Sequence, residues 1–249
     1  MLKNSALLGS GKAAGAVLHL AGLALSARLL GPAAFGLLII VRSYAQAISG
    51  IAKFQSWQAL IRFGTVRAES GDREGFRDLV GFTIAVDAVT GLVAMVVAIV
   101  LVPWLGPWLG MSAETTYLVQ IYCLVIPLTA SATPTGVLRI FDRFDYLSWQ
   151  SLVTPVVRLG GILIGALFGA PLWALVIAWM LSDMMGELFV WVHAAREMKR
   201  KSLIGGTAPS PRRAVAANPG LIRFSLASNG SATLTHALAP LLTLFVASL

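Results

Sequence analysis

Cysteine is almost absent: Cys123 is the single one in 249 residues, and it lies inside an apolar stretch. An internal disulfide is thereby excluded, as is any paired-cysteine metal or redox site. Its expected role is that of a small buried hydrophobe. Charge is scarce too. Asp, Glu, Lys and Arg make up 12% of the chain, about half the fraction usual in soluble domains. That leaves too little polar surface to cover a water-exposed globule of this length. No GxxxxGK[ST] loop is present, so ATP hydrolysis by this chain is not expected. No cofactor and no metal site is expected either.

What is abundant is apolar sequence: 57% hydrophobic residues, with a mean hydropathy of +0.80. These residues fall in blocks of about twenty, the length that crosses a hydrocarbon core. The net charge of +8 would suggest nucleic acid in a soluble protein. Here the basic residues lie mostly between apolar blocks, so they speak of membrane topology, and no nucleic-acid partner is expected. The start of the chain, with Lys3, Lys12 and Ala24-Leu-Ser-Ala27, has some features of a signal peptide. Its apolar run is long for a signal core and a second span follows at once, so it reads as a retained helix.

The fold class is all-α, a polytopic transmembrane bundle. Six helices are expected, over about 6–30, from 34 into the region 51–60, and over 79–102, 117–140, 147–168 and 172–193. Gly31-Pro32 ends the first, because proline cannot continue a helix. A charged segment, Arg62 to Asp78, separates the second and third. Trp104 and Trp108 beside Pro103 and Pro107 fit an interfacial belt. Pro127 and Pro134 predict a bent fourth helix. Gly169-Ala170-Pro171 makes a tight turn between the fifth and sixth. The expected domains are a six-helix lobe over 1–193, a basic linker over 194–220, and a seventh helix over 221–249. That last run reaches Leu249 without a stop, so the chain is expected to be a fragment of something about twice as long.

Basic residues alternate from loop to loop. Lys53, Arg62, Arg67, Arg73 and Arg77 follow the second helix, Arg139 and Arg143 the fourth, and Arg196, Lys199, Arg200, Lys201, Arg212 and Arg213 the sixth. The exits of the odd-numbered helices carry none, although Arg28 lies close to the first. Lys and Arg are retained on the cytoplasmic side. The expectation is a multi-pass protein of a bacterial-type inner membrane, with a cytoplasmic N-terminus. The linker should also touch anionic membrane lipid.

The stretch Ala27-Arg-Leu-Leu-Gly-Pro-Ala-Ala-Phe-Gly36 resembles the first inter-helix junction of the polysaccharide-biosynthesis exporters. These include the O-antigen and exopolysaccharide flippases, within the multidrug/oligosaccharidyl-lipid/polysaccharide exporter superfamily. Ser70-Gly71-Asp72-Arg73 and the helix count agree with the N-terminal half of that architecture. The resemblance implies two lobes rocking about a central cavity, with the C-terminal lobe missing here. It implies a non-enzymatic flippase moving a polyprenyl-diphosphate-linked oligosaccharide from the cytoplasmic to the outer face, for lipopolysaccharide or exopolysaccharide assembly. Polysaccharide polymerase machinery is an implied partner.

Such a path needs polar groups at membrane depth, where an ionisable side chain costs several kcal/mol unless it faces the bundle interior. The cavity candidates are Arg42, Lys12, His19 and Asp87. Lys12 and His19 share a face near Gly15 and Gly22, and Gly11-xxx-Gly15 suits close packing. Lys12 reaching the interface and His19 packing in the lobe are their structural alternatives, and a bond to a neighbouring helix is the alternative for Asp87. Arg42 lies about 12 Å below the outer helix end. A second candidate group is an intramembrane charge pair, Arg158 with Asp183, because both stand about equally far from the turn at Pro171. Glu187 follows one helical turn after Asp183. That pair is either structural or a proton- or cation-linked switch. Three other functions stay open: a drug or cation exporter of the same superfamily, to which Asp87 would be suited; a membrane-embedded polymerase or ligase, which the short outward loops disfavour; and a half-protein needing another chain.

Overall fold

The computed structural model describes the backbone of residues 2–205 and 207–229, with side chains from Ala13 onward. All regular structure among them is helical, and its α-helices include α1 (Leu2–Ala52), α2 (Ser56–Ser70), α3 (Arg73–Leu105), α4 (Ala113–Tyr122), α5 (Ile126–Thr129), α6 (Thr133–Ile140), α7 (Phe144–Leu167), α8 (Leu172–Arg200) and α9 (Pro211–Ala217), with a further helical stretch over 221–229. Five helical runs are long and apolar enough to cross a membrane: Ala13–Ala52, Arg73–Leu105, Ala113–Ile140, Phe144–Leu167 and Leu172–Arg200. The fold is thus the expected polytopic helical bundle.

The first run crosses twice. Gly31 leaves the helical region at φ 73°, ψ 171°, a conformation open to glycine and strained for other residues, and Pro32 starts the next helical stretch. His19 and Arg42, on either side of this break, both reach the ion pair between Arg158 and Asp183. In a straight helix they would stand about 34 Å apart. The chain therefore doubles back at Gly31, and the described residues supply six crossings.

Exposed apolar side chains mark the depth of the lipid. On α3 they run Ile84, Val89, Leu92, Val93, Val96, Val97, Val100, Leu101 and Trp104, a stripe at helical spacing. At 1.5 Å per residue it is roughly 30 Å long, one hydrocarbon thickness. On α8 the stripe from Trp173 to Val192 gives nearly the same span. The first turns of α3 and the last of α8 therefore project beyond the lipid, at the end that carries the basic residues.

Two cores follow from this division. One, within lipid depth, includes Leu38, Val41, Tyr44, Val119, Tyr122, Ile126, Ile162 and Trp179. The other, at the basic end, includes Leu60, Phe76, Leu79, Leu138, Val190, Leu203 and Leu221. The segment from Arg62 to Asp78, expected as a charged connection, is mostly helix. Its polar residues form the outer face of α2 and the start of α3, and their apolar partners make the second core. Only Gly71 and Asp72 interrupt it: Gly71 takes the left-handed conformation and Asp72 caps α3 by accepting from the Gly75 N–H.

The fourth crossing is interrupted rather than bent. Pro127 starts α5 and Pro134 starts α6, each where a missing N–H costs nothing. Past His193, α8 continues to Arg200, and the following segment holds α9, capped by Ser210. This segment lies on the first turns of α3. Arg213 donates to Asp78 at 2.7 and 2.8 Å, the Ser210 N–H to the same carboxylate, Thr207 to Glu74, and Arg67 to Asn218. The hydrogen bond to Asp78 also holds the Arg213 guanidinium above its ordinary pKa. The two basic stretches are therefore on the same end of the bundle. The expected seventh helix lies for the most part outside the described residues.

Candidate functional site

Four ionisable side chains meet at mid-depth because of where their turns fall. His19 is twelve residues before Gly31 and Arg42 eleven after it; Arg158 is thirteen before Pro171 and Asp183 twelve after it. Each stands about 17–20 Å from its turn at Gly31 or Pro171, in one plane. Arg158 Nη2 donates to Asp183 Oδ1 at 2.6 Å, its Nε to Ser182 Oγ at 3.1 Å, and its Nη1 meets His19 Nδ1 at 2.9 Å. Tyr122 donates to Asp183 Oδ2 at 2.7 Å. Arg42 donates to the same carboxylate from Nε at 3.2 Å and from Nη2 at 3.5 Å. Both guanidinium groups lie over the buried Trp179 ring, Arg158 at 4.5 Å and Arg42 at 5.5 Å.

The two arginines differ in access. The Arg158 side chain is 1% exposed and the Arg42 side chain 20%. Arg42 heads a cavity of ≈ 360 Å³ that runs from mid-depth toward the basic end. One wall is a single helical stripe, Arg42, Ala45, Gln46, Ser49, Gly50 and Lys53. Asp183 and Glu187 of α8 form another, with Thr154 of α7 and Tyr122 and Thr129 of the interrupted crossing between them. Thr154 fits there because Gly186 has no Cβ to meet its hydroxyl. Lys53 closes the far end, donating to the Thr129 carbonyl at 3.1 Å, and Ser49 shares a hydrogen bond with the Thr129 hydroxyl.

Of the residues expected at the cavity, Arg42 lines it. His19 stands behind Arg158, one contact removed from the cavity wall. The side chain of Lys12 lies outside the described residues. Asp87 lies elsewhere, where α2, α3 and α6 converge. It is 2% exposed, and its carboxylate accepts from Ser56 Oγ, Ser131 Oγ, Thr133 Oγ1 and the N–H groups of Ala132 and Thr133, all at 2.6–3.0 Å. That places its charge at the start of two helices and spends its acceptor capacity on the fold. Arg158 and Asp183 are in contact, while Glu187 faces the cavity beyond them.

Sequence reasoning passed over Tyr122, Lys53 and the polar stripe between Arg42 and Lys53. A signal existed for each. A tyrosine in mid-membrane needs a partner for its hydroxyl, and the stripe repeats at three and four residues. Lys53 is grouped in the sequence with the basic residues after the second helix, whereas in the structure it directly follows α1 and reaches the Thr129 carbonyl.

Comparison with known proteins bears on this arrangement. The profile of the family described as polysaccharide biosynthesis protein matches residues 1–247. The chain is 39% identical over 203 residues to a protein of Escherichia coli (strain K12) described as inner membrane protein YghQ. That alignment covers 82% of this chain and 57% of the relative. Among solved structures, a multidrug resistance MATE family transporter of the MOP superfamily, in an inward-facing conformation, superimposes with a TM-score of 0.63. It covers 97% of this chain and 52% of that one. At 15% identity this likeness is one of fold. The chain spans little more than half the length of either protein.

Proposed function

The chain belongs to the polysaccharide biosynthesis protein family, and from that premise we propose that it is the first lobe of an inner-membrane flippase for lipid-linked oligosaccharides. The substrate class is a sugar chain on a polyprenyl diphosphate, taken up at the basic, cytoplasmic end and delivered to the outer face. The observation that carries this reading is the cavity, which begins with a partly exposed arginine at mid-depth and ends with a lysine at the basic end. Arg42 and Arg158 outweigh Asp183 by one positive charge, in a region where charge is poorly screened. A guanidinium matches a phosphate oxygen pair better than any other side chain. Gln46, Ser49, Thr129 and Thr154 offer hydrogen bonds of the kind sugars take. The likeness in fold to a half of a two-lobed transporter supports a cavity completed by a second lobe.

A second reading, export of an organic cation, is favoured by Glu187, whose carboxylate lies on the same wall. The chain together with its second lobe, reconstituted in liposomes with a fluorescent polyprenyl-diphosphate disaccharide, separates the two. The expected result is protein-dependent transfer of the label between leaflets that Arg42→Gln abolishes at equal protein content. Counterflow of ethidium in place of lipid transfer, lost in Glu187→Gln and retained in Arg42→Gln, would establish the cation reading instead.

A further inference from the structure

Among the described residues Asp183 has three partners, and they are unequal. Arg158 at 2.6 Å and Tyr122 at 2.7 Å are short and buried; Arg42, at 3.2 and 3.5 Å, is the longest and, with its side chain 20% exposed, the most accessible from the cavity. If Arg42 swings away, the carboxylate keeps a full counter-charge in Arg158 and a hydroxyl donor in Tyr122, so no buried charge is orphaned. If Arg158 left, Asp183 would lose its closest cation, and Arg158 itself would abandon Ser182, His19 and the Trp179 face. The arrangement therefore has one loose bond, placed where a ligand arrives.

We propose that Asp183 is an internal competitor of the transported anion. Resting on the anionic-substrate reading above, the inference is that the Asp183 carboxylate occupies Arg42 until a diphosphate takes the guanidinium from it. Asp183 then remains with Arg158, and it recaptures Arg42 to expel the anion. The residue thereby sets how tightly an anion is held and how readily it leaves. A cavity with two unopposed arginines would hold a diphosphate too firmly for release, since a ligand must bind weakly enough to depart at each cycle.

The test is calorimetric binding of farnesyl diphosphate to the whole chain in nanodiscs, with inorganic pyrophosphate and farnesol as companion probes. Asp183→Asn should bind farnesyl diphosphate at least about tenfold more tightly than the unchanged protein. Electrostatics alone would also favour an anion when any nearby carboxylate is neutralised, so two comparisons isolate the competition. The gain should vanish in the Arg42→Gln background, as a double-mutant cycle requires of a direct interaction. Glu187→Gln, which removes a cavity carboxylate without hydrogen bonds to Arg42, should give a distinctly smaller gain.

Tyr122→Phe should act in the opposite direction. Without the tyrosine donor, Asp183 Oδ2 depends on Arg42 alone, holds it harder, and anion affinity falls. This variant keeps the ring and decides the matter if Asp183→Asn does not fold. Unchanged or weaker binding in Asp183→Asn, a gain that persists without Arg42, or a Tyr122→Phe variant that binds as well as or better than the parent would each overturn the proposal. Equal binding by the unchanged protein and by Arg42→Gln would instead overturn the anionic-substrate reading. Pyrophosphate bound as tightly as farnesyl diphosphate would show that the diphosphate alone is read; stronger binding of the prenyl ester would show that the lipid contributes. Either companion result is compatible with competition at Arg42, and farnesol should not bind.

Discussion

Arg158 Nη1 lies 2.9 Å from His19 Nδ1, and the chemistry of the pair fixes the proton. A guanidinium stays protonated in proteins and has no acceptor, so Nδ1 must accept and the imidazole carries its hydrogen on Nε2. His19 is thus a neutral acceptor that satisfies one N–H of a fully buried arginine. The expected consequence concerns which substitutes are tolerated. Asparagine places an oxygen near the Nδ1 position, whereas leucine fills similar space and leaves the donor unpaired. His19→Leu should lower stability by about 1–3 kcal/mol, the cost of an unsatisfied buried donor, and His19→Asn by distinctly less. Thermal melting of the detergent-solubilised protein measures both, and equal melting temperatures for the two variants would contradict this role.

Asp87 gives a prediction about acceptors rather than charge. Oδ2 accepts from two backbone N–H groups, those of Ala132 and Thr133, which cannot turn away. Oδ1 accepts from Ser56, whose hydroxyl can rotate and accept instead. An asparagine with its carbonyl oxygen at the Oδ2 position and its amide toward Ser56 therefore preserves most of the network. Asp87→Ala leaves at least two buried backbone donors without a partner and should cost several kcal/mol, sharply reducing folded protein in the membrane. Asp87→Asn should be recovered at near-normal levels and retain the lipid transfer proposed above. A transport-dead but well-folded Asp87→Asn would mean that the carboxylate charge itself handles a ligand.

Much of the bundle was legible because lipid imposes a simple constraint: apolar blocks must be long enough to cross, and basic residues must collect at one end. The plane of His19, Arg42, Arg158 and Asp183 was half legible. Equal distances from Pro171 gave the Arg158–Asp183 contact. Equal distances from Gly31 hold the same information for His19 and Arg42, but which pair of helices would meet is not a property of either segment alone. The helical identity of residues 62–78 was obscured by their polarity, since a helix beyond the lipid needs only one apolar face. Asp87 shows the limit most clearly. An aspartate in an apolar helix reads from sequence as either a cavity group or a bond to a neighbouring helix, and only the convergence of Ser56 with Ser131 and Thr133, which lie far from it along the chain, makes it a helix cap.

Adjacent glycines on α7 offer a control on packing. A Cβ on Gly161 would lie 2.8 Å from Ala178 Cβ and 3.3 Å from its Cα, against the backbone of α8, while a Cβ on Gly160 would meet nothing within 4 Å. Gly161 therefore sets the closeness of the α7–α8 contact that brings Arg158 to Asp183. Gly160→Ala should be neutral or stabilising, by up to about 1 kcal/mol from helix propensity. Gly161→Ala should destabilise, and Gly161→Leu should separate the helices and lose the proposed lipid transfer even where protein is made. Melting temperatures in detergent, read beside transport, check the pair; matching losses at both positions would show that the contact is not the determinant.

The position of the basic end is open to direct labelling, because the native Cys123 is fully buried and gives little background. Glu69 on α2 and Arg212 on α9 are exposed at that end, and Glu114, at the start of α4, is exposed at the other. Arg67 bonded to Asn218 and Arg213 bonded to Asp78 require residues 69 and 212 to share a side. The tendency of lysine and arginine to be retained inside the cell predicts that this side is cytoplasmic. In intact cells a membrane-impermeant maleimide should therefore modify Glu114→Cys at once. It should reach Glu69→Cys and Arg212→Cys only after permeabilisation. Modification of residue 69 and residue 212 under different conditions would refute the folding of the linker onto α3. Modification of both in intact cells, with residue 114 protected, would keep the fold and reverse its orientation, and with it the direction of transport proposed for the cavity.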